Sequence, residues 1–309
     1  MRIVIVGAKG FVGASLTRGL LARGHEVVSL DLRPGPGRLA DVEDEVEWVV
    51  GDGSAPEAML AAIGRRPVDG IYYGPYYRAA PGEPGLGQEL DVMAVAAWRV
   101  FQLARGLDLS RVIFPSSTAV HGRQPADGAP LDETSRVAPF GLYGAYKLLC
   151  EGVGEQVNAA VGRNVITSVR LPAIYGPGAA VASRGVNVPA VAAARGEAGR
   201  VDYRPEVRVC VAHVDDAAAM LVRAFEHDDL AHAVYDMGGA DVSFGEIAQV
   251  VQDLVPDART EFGDDVAMPL PSAIDNARAR AELGVEHRDL REGMASVVDY
   301  ERSRLGAAA

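Results

Sequence analysis

The chain has 309 residues, which exceeds what one hydrophobic core usually supports, so a large domain with a smaller annex is expected. Hydrophobic residues make up 49% of it and charged residues 23%, a balance that excludes a disordered or fibrous chain. The formal net charge of −12 would repel nucleic acid and anionic lipid, so we expect neither as a partner.

In its first half the chain alternates short segments rich in Val and Ile with helical patterns. The predicted strands are residues 2–6, 26–30, 47–50, 70–73, 111–115 and 164–171. Between them, apolar residues at helical spacing predict helices at residues 10–23, 56–63, 90–107 and 143–161. This alternation predicts the α/β class, as a Rossmann doubly wound parallel sheet with a smaller C-terminal annex.

A glycine motif follows the first predicted strand directly and opens a predicted helix. Gly7 permits a tight turn, Gly10 lets the backbone approach a pyrophosphate, and Gly13 lets the helix pack closely on the strand. Phe11 and Val12 begin the helix, whose first N–H groups and positive dipole end favour an anion. These five residues are therefore predicted to cradle a dinucleotide.

Two acidic residues follow the next strands and point to the kind of dinucleotide. Asp31 ends the second strand, where a carboxylate accepts hydrogen bonds from an adenosine ribose and repels a 2′-phosphate. We therefore expect NAD, with NADP less favoured, although Arg33 could accommodate the extra phosphate. Asp52 and Gly53 follow the third strand and are expected to contact the adenine edge, unless Asp52 is simply a turn aspartate.

Tyr143 and Lys147 begin the fourth predicted helix and lie four residues apart, so they share one helix face. An ammonium beside a phenol favours phenolate and lowers the phenol pKa from about 10 toward neutrality. Tyr143 could then act as general acid or base on a reacting oxygen, while Lys147 also bonds the nicotinamide ribose. The alternative is an exposed pair at helical spacing with no chemical role.

Hydroxyl residues follow the strand predicted at 111–115, at the edge where ligands bind in open α/β sheets. We expect Ser117 to hydrogen-bond the substrate oxygen and to stabilise its developing negative charge. Thr118, beside it, is expected to contact the substrate as well. The alternative is that these hydroxyls only cap a turn.

Pro- and Gly-rich turns interrupt the alternation after residue 171. We expect residues 1–171 to form an NAD-binding Rossmann domain, completed by about 209–236, where a strand and a helix are predicted at 209–227. Residues 172–208 and 237–309 then form a substrate-binding region, with helices predicted at 189–195, 244–254, 275–283 and 290–304. The Pro- and Gly-rich segment 79–87 is predicted to be either a mobile lid or a plain surface loop.

Cys150 and Cys210 are the only cysteines, and neither has the spacing of a metal site. We expect both to be buried free thiols, which indicates a reducing compartment. No apolar stretch reaches membrane-spanning length, and the chain runs from Met1 directly into a strand. The expectation is a cytoplasmic protein that binds neither a membrane nor a metal.

Together these residues resemble the extended short-chain dehydrogenase/reductase family, of the NAD-dependent epimerase/dehydratase type. The resemblance covers nearly the whole chain and is carried by GAKGFVG, SSTAVHG, YGAYK, VRLPAIYGPG and HVDD in that order. It implies that Ser117, Tyr143 and Lys147 occupy the catalytic positions. It also implies that Pro172 lies beside the nicotinamide.

Departures from the family pattern bear on the substrate. Thr118 and Ala119 stand where 4,6-dehydratases carry adjacent acidic residues, which argues against elimination of water. Ala173 replaces an Asn found in many sugar-nucleotide members, while Asn187 and Arg208 lie near other phosphate-contacting positions and are expected to bind substrate. A nucleotide sugar is therefore a candidate substrate.

Two further features concern the pocket. The run Gly74, Pro75 and Tyr76 replaces an apolar Leu-Ala-Ala segment of the family and predicts an unusual pocket. Four arginines in the annex could attract an anionic substrate or could be solvated surface residues: Arg195, Arg200, Arg204 and Arg208.

The sequence therefore predicts an enzyme that moves a hydride between NAD and a secondary alcohol or ketone carbon of a small hydroxyl or keto substrate. A nucleotide-sugar epimerase and a dehydrogenase/reductase both fit, because both begin with the same oxidation. A catalytically silent NAD(H) or metabolite sensor that binds a protein partner is the alternative. The helices at 90–107 and 143–161 could pair to form a homodimer or could face the protein's own sheet.

Overall fold

The computed structural model describes residues 1–64, 66–77, 85–179 and 185–308. Its strands are β1 (Arg2–Val6), β2 (Glu26–Asp31), β3 (Val46–Val50), β4 (Gly70–Tyr73), β5 (Arg111–Ser117), β6 (Ile166–Leu171), β7 (Ala173–Tyr175), β8 (Ala198–Tyr203), β9 (Arg208–His213), β10 (Val234–Asp236), β11 (Ala240–Ser243) and β12 (Arg259–Asp265). Its helices are α1 (Phe11–Ala22), α2 (Pro56–Ile63), α3 (Leu86–Leu90), α4 (Ala96–Gly106), α5 (Gly141–Val161), α6 (Val188–Arg195), α7 (Val214–Glu226), α8 (Phe244–Leu254), α9 (Ala277–Leu283) and α10 (Leu290–Ala308).

Seven strands form a central sheet in the order β10-β6-β5-β4-β1-β2-β3. Every neighbouring pair in it is parallel. Strand β1 is buried along its whole length, because helices cover both faces of a parallel sheet. The strand order confirms the predicted Rossmann class, and all six strands predicted in the first half of the chain form.

The two faces of the central sheet carry separate apolar cores. Helices α1 and α7 pack on one face, where Leu16 and Leu221 are fully buried. Helices α2, α4 and α5 pack on the other face, around the fully buried Phe101. In such folds ligands bind at the carboxyl ends of the strands.

The remaining strands build two small sheets, with the orders β11-β9-β7 and β12-β8. Helices α6, α8 and α10 pack on them around Phe244 and Met294. The strand predicted from residue 209 forms, but it pairs with β7 and β11 and does not return to the central sheet. Pro172 lacks an N–H group and separates β6 from β7, so the chain leaves the central sheet there. Helix α7, which follows β9, does return and packs on α1.

A widened helical turn joins α3 to α4. Residues Asp91–Val95 form a π-helical turn, so the helix predicted at 90–107 starts one turn earlier and is not regular. The Tyr73 hydroxyl donates to the Val92 carbonyl at 2.9 Å, and Cys150 Sγ lies 3.3 Å from the Met93 carbonyl. Side chains that bond to helix carbonyls in this way favour such a bulge.

Two other predictions concern loops and cysteines. Most of the predicted lid or loop, residues 79–84, lies outside the described part of the chain.

Cys150 and Cys210 are buried free thiols, as predicted. Across the described ranges, no helix combines the length and apolar character that a bilayer crossing needs.

Candidate active site

The glycine motif forms a tight turn between β1 and α1. Gly7 has a φ of 85°, a left-handed conformation that favours glycine. A Cβ at Gly13 would lie 2.2 Å from the Gly7 carbonyl oxygen, and one at Gly10 would lie 3.0 Å from it. Gly10 is the N-cap and has no side chain to cap the helix, so the N–H groups around Phe11 and Val12 can bind an anion. The turn therefore fits a pyrophosphate.

The Asp31 carboxylate lies at the end of β2, beside this turn. Its Oδ2 accepts a hydrogen bond from the Lys9 backbone N–H at 3.0 Å. The Lys9 ammonium donates to the carbonyls of Arg33 and Gly35, the second at 3.0 Å. The loop after β2 is thus tied to the glycine turn, with a carboxylate where an adenosine ribose lies in this fold.

Asp52 forms a local turn after β3. Its Oδ1 accepts hydrogen bonds from the Ser54 backbone N–H at 2.8 Å and from the Ser54 hydroxyl at 2.7 Å. This is the turn role that the sequence left open. Gly53 packs against β1, since a Cβ there would lie 2.2 Å from Val6 Cγ1. Contact of Asp52 and Gly53 with the adenine stays a prediction.

Lys147 is buried against strand β5. Its ammonium donates to the Pro115 carbonyl at 2.6 Å and lies 4.4 Å from the Phe114 ring centroid. It also lies 5.6 Å from the Tyr143 ring centroid. Burial lowers the pKa of Lys147 to about 8, because a low-dielectric interior disfavours the charged form. Lys147 is only 4% exposed. Tyr143 and Lys147 are therefore not the exposed surface pair of the alternative interpretation.

Helix α5 approaches the end of β5 closely at its first turn. A Cβ at Gly144 would lie 2.7 Å from the Ala119 carbonyl oxygen, so only glycine permits this approach. The same carbonyl accepts a hydrogen bond from the Phe140 N–H at 3.3 Å. The contact brings Tyr143 to the end of the strand that carries Ser117.

The segment that follows β4 passes the glycine turn at Gly74 and reaches Tyr143 at Tyr76. A Cβ at Gly7 would lie 3.6 Å from the carbonyl carbon of Gly74, which follows β4. Two residues further on, the Tyr76 ring packs edge-on against Tyr143, with 5.7 Å between the centroids. Tyr76 is 62% exposed. An aromatic side chain thus stands beside the candidate general base, where the family pattern has a small apolar residue.

The two hydroxyl residues at the end of β5 differ in their partners. Ser117 Oγ accepts a hydrogen bond from the Ala119 N–H at 3.2 Å, so it does cap a turn. Accepting that bond leaves its hydroxyl proton for donation to a substrate oxygen. Thr118 Oγ1 is buried and has no hydrogen-bond partner among the described residues. An unpaired buried hydroxyl costs free energy, which a bound ligand oxygen would recover.

Three other predicted site residues lie in or beside the annex. Pro172 is buried between β6 and β7 at the carboxyl end of the sheet. The Asn187 amide donates to the Gly176 carbonyl at 2.8 Å and accepts from its N–H at 3.3 Å. The Arg208 guanidinium is held by two carboxylates, at 2.8 Å by Asp241 and at 3.2 Å by Glu246. These bonds hold the Asn187 and Arg208 side chains within the protein, and their contact with substrate stays a prediction.

A group of buried charged side chains, which was not predicted from the sequence, lies next to Lys147. Arg170 on β6 pairs with Glu151 on α5 and with Asp236 on β10. The sequence held two signals of this group. Arg170 is a charged residue within the apolar strand β6, and Glu151 is an acidic residue one helical turn after Lys147. Within the described ranges, no His, Cys, Asp and Glu side chains are grouped as metal ligands.

A Rossmann sheet with a glycine cradle, and with Tyr143 and Lys147 at the end of β5, defines a dinucleotide-binding protein. The model of the NAD dependent epimerase/dehydratase family matches residues 3–238, and the chain belongs to this family. The match confirms the resemblance read from the sequence motifs.

The individual relatives have low sequence identity to this chain. The chain is 28% identical over 182 residues to a 2-alkyl-3-oxoalkanoate reductase of Stenotrophomonas maltophilia (strain K279a), a match covering 58% of the chain and 52% of the reductase. The chain thus spans about half the length of this curated relative. Its fold matches that of MoeE5 in complex with UDP-glucose and NAD, at 24% identity and a TM-score of 0.81, over 99% of this chain and 100% of that one. It also matches the holo form of a GalE-like L-threonine dehydrogenase from Cupriavidus necator, at 24% identity and a TM-score of 0.82. This match covers 96% of this chain and 98% of that one.

Proposed function

We propose that this protein transfers a hydride between NAD and a secondary alcohol or ketone carbon of a small molecule, with Ser117, Tyr143 and Lys147 as catalytic residues. The observation that carries the proposal is the position of Tyr143 and Lys147 beside β5, with residues 74–76 running from the glycine turn to the Tyr143 ring. Membership of an NAD-dependent family supports the class of cofactor.

Each side chain has a distinct task in the oxidation of an alcohol. Tyr143 takes the hydroxyl proton as general base, while Ser117 donates to the substrate oxygen and orients it. Lys147 is positively charged below its pKa of about 8, and this charge stabilises the Tyr143 phenolate. NAD, when bound, supplies the hydride acceptor. In reduction the same residues act in reverse, and Tyr143 gives its proton to the carbonyl oxygen.

NAD is proposed over NADP because of Asp31. The carboxylate stands at the end of β2 beside the glycine turn, where it can accept hydrogen bonds from the ribose hydroxyls. Its negative charge would repel a 2′-phosphate at the same place. Arg33 is exposed and lies two residues further on, so it is the group that would favour NADP if Asp31 were neutralised.

Two outcomes of the first oxidation fit the site. A nucleotide-sugar epimerase would hold the ketone and reduce it from its other face, whereas a dehydrogenase/reductase would release it. MoeE5 with UDP-glucose and the L-threonine dehydrogenase show that both substrate types are found on this fold. The family model includes dehydratases as well, so the case against elimination of water rests on Thr118 and Ala119, which carry no carboxylate.

The test is to identify what the purified protein holds and converts. Mass spectrometry of the denatured extract, with absorbance in the NADH band, measures any bound dinucleotide. Near-stoichiometric NAD followed by isomer formation from a UDP-sugar would establish the epimerase. Reversible NAD binding with NADH formation from small hydroxy compounds would establish the dehydrogenase. Cofactor binding without turnover on either panel would contradict the proposal and favour the sensor.

We also propose a homodimer formed through α4 and α5. Both helices expose large apolar side chains, with Trp98 49% and Leu149 52% exposed. The outer face of α5 carries a shallow apolar groove that includes Leu148, Leu149 and Val153. Exposed apolar surface of this kind is typical of protein interfaces. A second copy that buries the same face would form a two-fold dimer.

A further inference from the structure

A group of buried charged side chains lies behind the candidate catalytic residues. Its members are each at most 4% exposed: His121, Lys147, Glu151, Arg170 and Asp236. Arg170 Nε and Nη2 donate to the two oxygens of Glu151 at 3.0 and 2.8 Å. Its Nη1 lies 3.3 Å from Asp236, whose carboxylate lies 3.0 Å from His121 Nε2. Lys147 and Arg170 are the cations of this group, and Glu151 and Asp236 are its carboxylates.

Lys147 has little direct compensation for its buried charge. Its neighbours on β5 are the Pro115 carbonyl and the Phe114 ring, which are both neutral. On its own helix, burial raises the pKa of Cys150 to about 11, so that thiol is neutral at physiological pH. Moving an uncompensated ammonium into the interior is costly, and such a group tends to lose its proton instead.

Glu151 is the carboxylate best placed to oppose that loss. It lies one helical turn after Lys147, a spacing that puts both side chains on the same face of α5. Burial lowers the pKa of Lys147, whereas Cys150, when ionised, and the charge of Glu151 act in the opposite direction. Asp236 is on β10, on the far side of Arg170, and is therefore screened from Lys147 by a cation.

Glu151 also fixes the helix to the strand that carries Ser117. The Ser116 hydroxyl donates to Glu151 Oε1, and Ser116 is 2% exposed. Because Ser116 and Ser117 are adjacent in β5, this bond sets the position of α5 relative to the end of the strand. Glu151 thus shares a face of α5 with Lys147 and is hydrogen-bonded by Ser116, the neighbour of Ser117 on β5.

We propose that Glu151 is a positioning residue for hydride transfer, whose charge keeps Lys147 protonated within the buried site and whose bond from Ser116 aligns helix α5 with Ser117. The inference rests on the proposed roles of Tyr143 and Lys147. The charged and titratable groups packed around Lys147 are, on α5, Tyr143, Cys150 and Glu151 and, beyond Glu151, Arg170, Asp236 and His121.

The chain offers a direct measurement, because Lys9 and Lys147 are its only lysines. Protein labelled with ¹³C at the lysine ε-carbon gives two NMR signals, and the one missing from Lys147→Arg belongs to Lys147. In Glu151→Gln we expect the midpoint of its titration to fall by about one pH unit relative to the wild type. In the matched control Asp236→Asn, which removes the other carboxylate partner of Arg170, we expect a much smaller change.

A second variant keeps the inference testable if Glu151→Gln does not fold. In Glu151→Gln/Arg170→Met/Asp236→Asn the cation and both of its carboxylate partners are removed together, a replacement that buried ionic groups often tolerate. The Lys147 midpoint should still fall, because the Glu151 carboxylate is lost from the helical turn next to Lys147 on the same face of α5. An unchanged midpoint in the folded variant, or an equal fall in Asp236→Asn, would overturn the inference.

The pH dependence of alcohol oxidation supplies an independent readout. Less charge on Lys147 stabilises the Tyr143 phenolate less, so the acid limb of kcat/KM should move to higher pH in Glu151→Gln and stay in place in Asp236→Asn. A merely structural role would lower activity at every pH without moving the limb. If Tyr143→Phe kept its turnover, the proposed function would fail, whereas the NMR midpoint would still report on Glu151.

Discussion

The Lys147 ammonium donates to the carbonyl oxygen of Pro115 at 2.6 Å. Pro115 lies two residues before Ser117 in β5, so this bond anchors the lysine to the strand that ends in the candidate oxygen-binding hydroxyl. The lysine is therefore held in place by the protein itself. A cofactor or substrate that enters the site meets an arrangement that is already formed, which lowers the cost of ordering it.

The first prediction concerns the glycine cradle. Gly13→Ala places a Cβ 2.2 Å from the Gly7 carbonyl oxygen, which is too close for two nonbonded atoms. We therefore expect a loss of stability of roughly 1–3 kcal/mol and weaker NAD binding. Calorimetry with NAD measures the affinity, and chemical denaturation measures the stability. At Gly106 a Cβ meets no described atom within 4 Å, so Gly106→Ala is the matched control and should keep full affinity. Equal affinities of the two variants would refute the cradle.

The second prediction concerns the choice of dinucleotide. Asp31→Asn removes the charge that repels a 2′-phosphate and weakens the bonds to the ribose, so we expect the NAD Kd to rise about tenfold and NADP binding to improve. Fluorescence titration with both dinucleotides measures the preference. Asp44→Asn removes an exposed carboxylate in the same loop region and should leave the preference unchanged. If Asp31→Asn kept the dinucleotide preference of the wild type, the role assigned to Asp31 would be contradicted.

The third prediction tests the dimer. Leu149→Arg introduces a charge into the apolar face of α5, which an interface between two copies could not bury without cost. Sedimentation velocity should show a dimer for the wild type and a monomer for the variant. Leu60→Arg on α2 changes a leucine that is 64% exposed elsewhere and should remain dimeric. A wild-type monomer at micromolar concentration would remove the proposal.

The fourth prediction is a pH dependence of stability. Burial lowers the pKa of His213, whose Nδ1 accepts from the Asp215 N–H at 3.2 Å and so requires the neutral ring. The unfolded chain therefore binds the proton more readily, and stability is lost as the pH falls through about 6.5. The unfolding free energy should decrease more steeply toward acid for the wild type than for His213→Asn, which keeps a helix-capping residue. Equal slopes in denaturant titrations would show that His213 is not responsible.

The sequence predicted six strands of the central sheet, β1 to β6, because their signals are local, and it missed the three-residue strand β10. The Val and Ile run of β1 and the glycines that follow it define a strand, a turn and a helix without reference to distant residues. Strand β12 is different, since its sequence is mostly polar and its residues are largely exposed. It is a strand because β8 pairs with it, and such a nonlocal pairing leaves no periodic pattern.

The candidate site shows the same division. Tyr143 and Lys147 could be predicted as candidates from their spacing on one helix, and Ser117 from its position at the end of a strand. The pairing of Glu151 with Arg170 could not, because it depends on how α5 lies across β6. The edge-on contact of Tyr76 with Tyr143 likewise depends on the path of the chain after β4. Spacing within an element predicts candidate residues, whereas contacts between elements can be read only from the fold.

The most direct test is the turnover of Tyr143→Phe on the substrate found in the screen, measured alongside its folding and NAD affinity. A general acid or base contributes roughly 100-fold to 10,000-fold, so we expect kcat to fall within that range while circular dichroism and the NAD Kd stay close to the wild type. Near-normal turnover by the folded variant would contradict the role of Tyr143 and, with it, the proposed hydride transfer by Ser117, Tyr143 and Lys147.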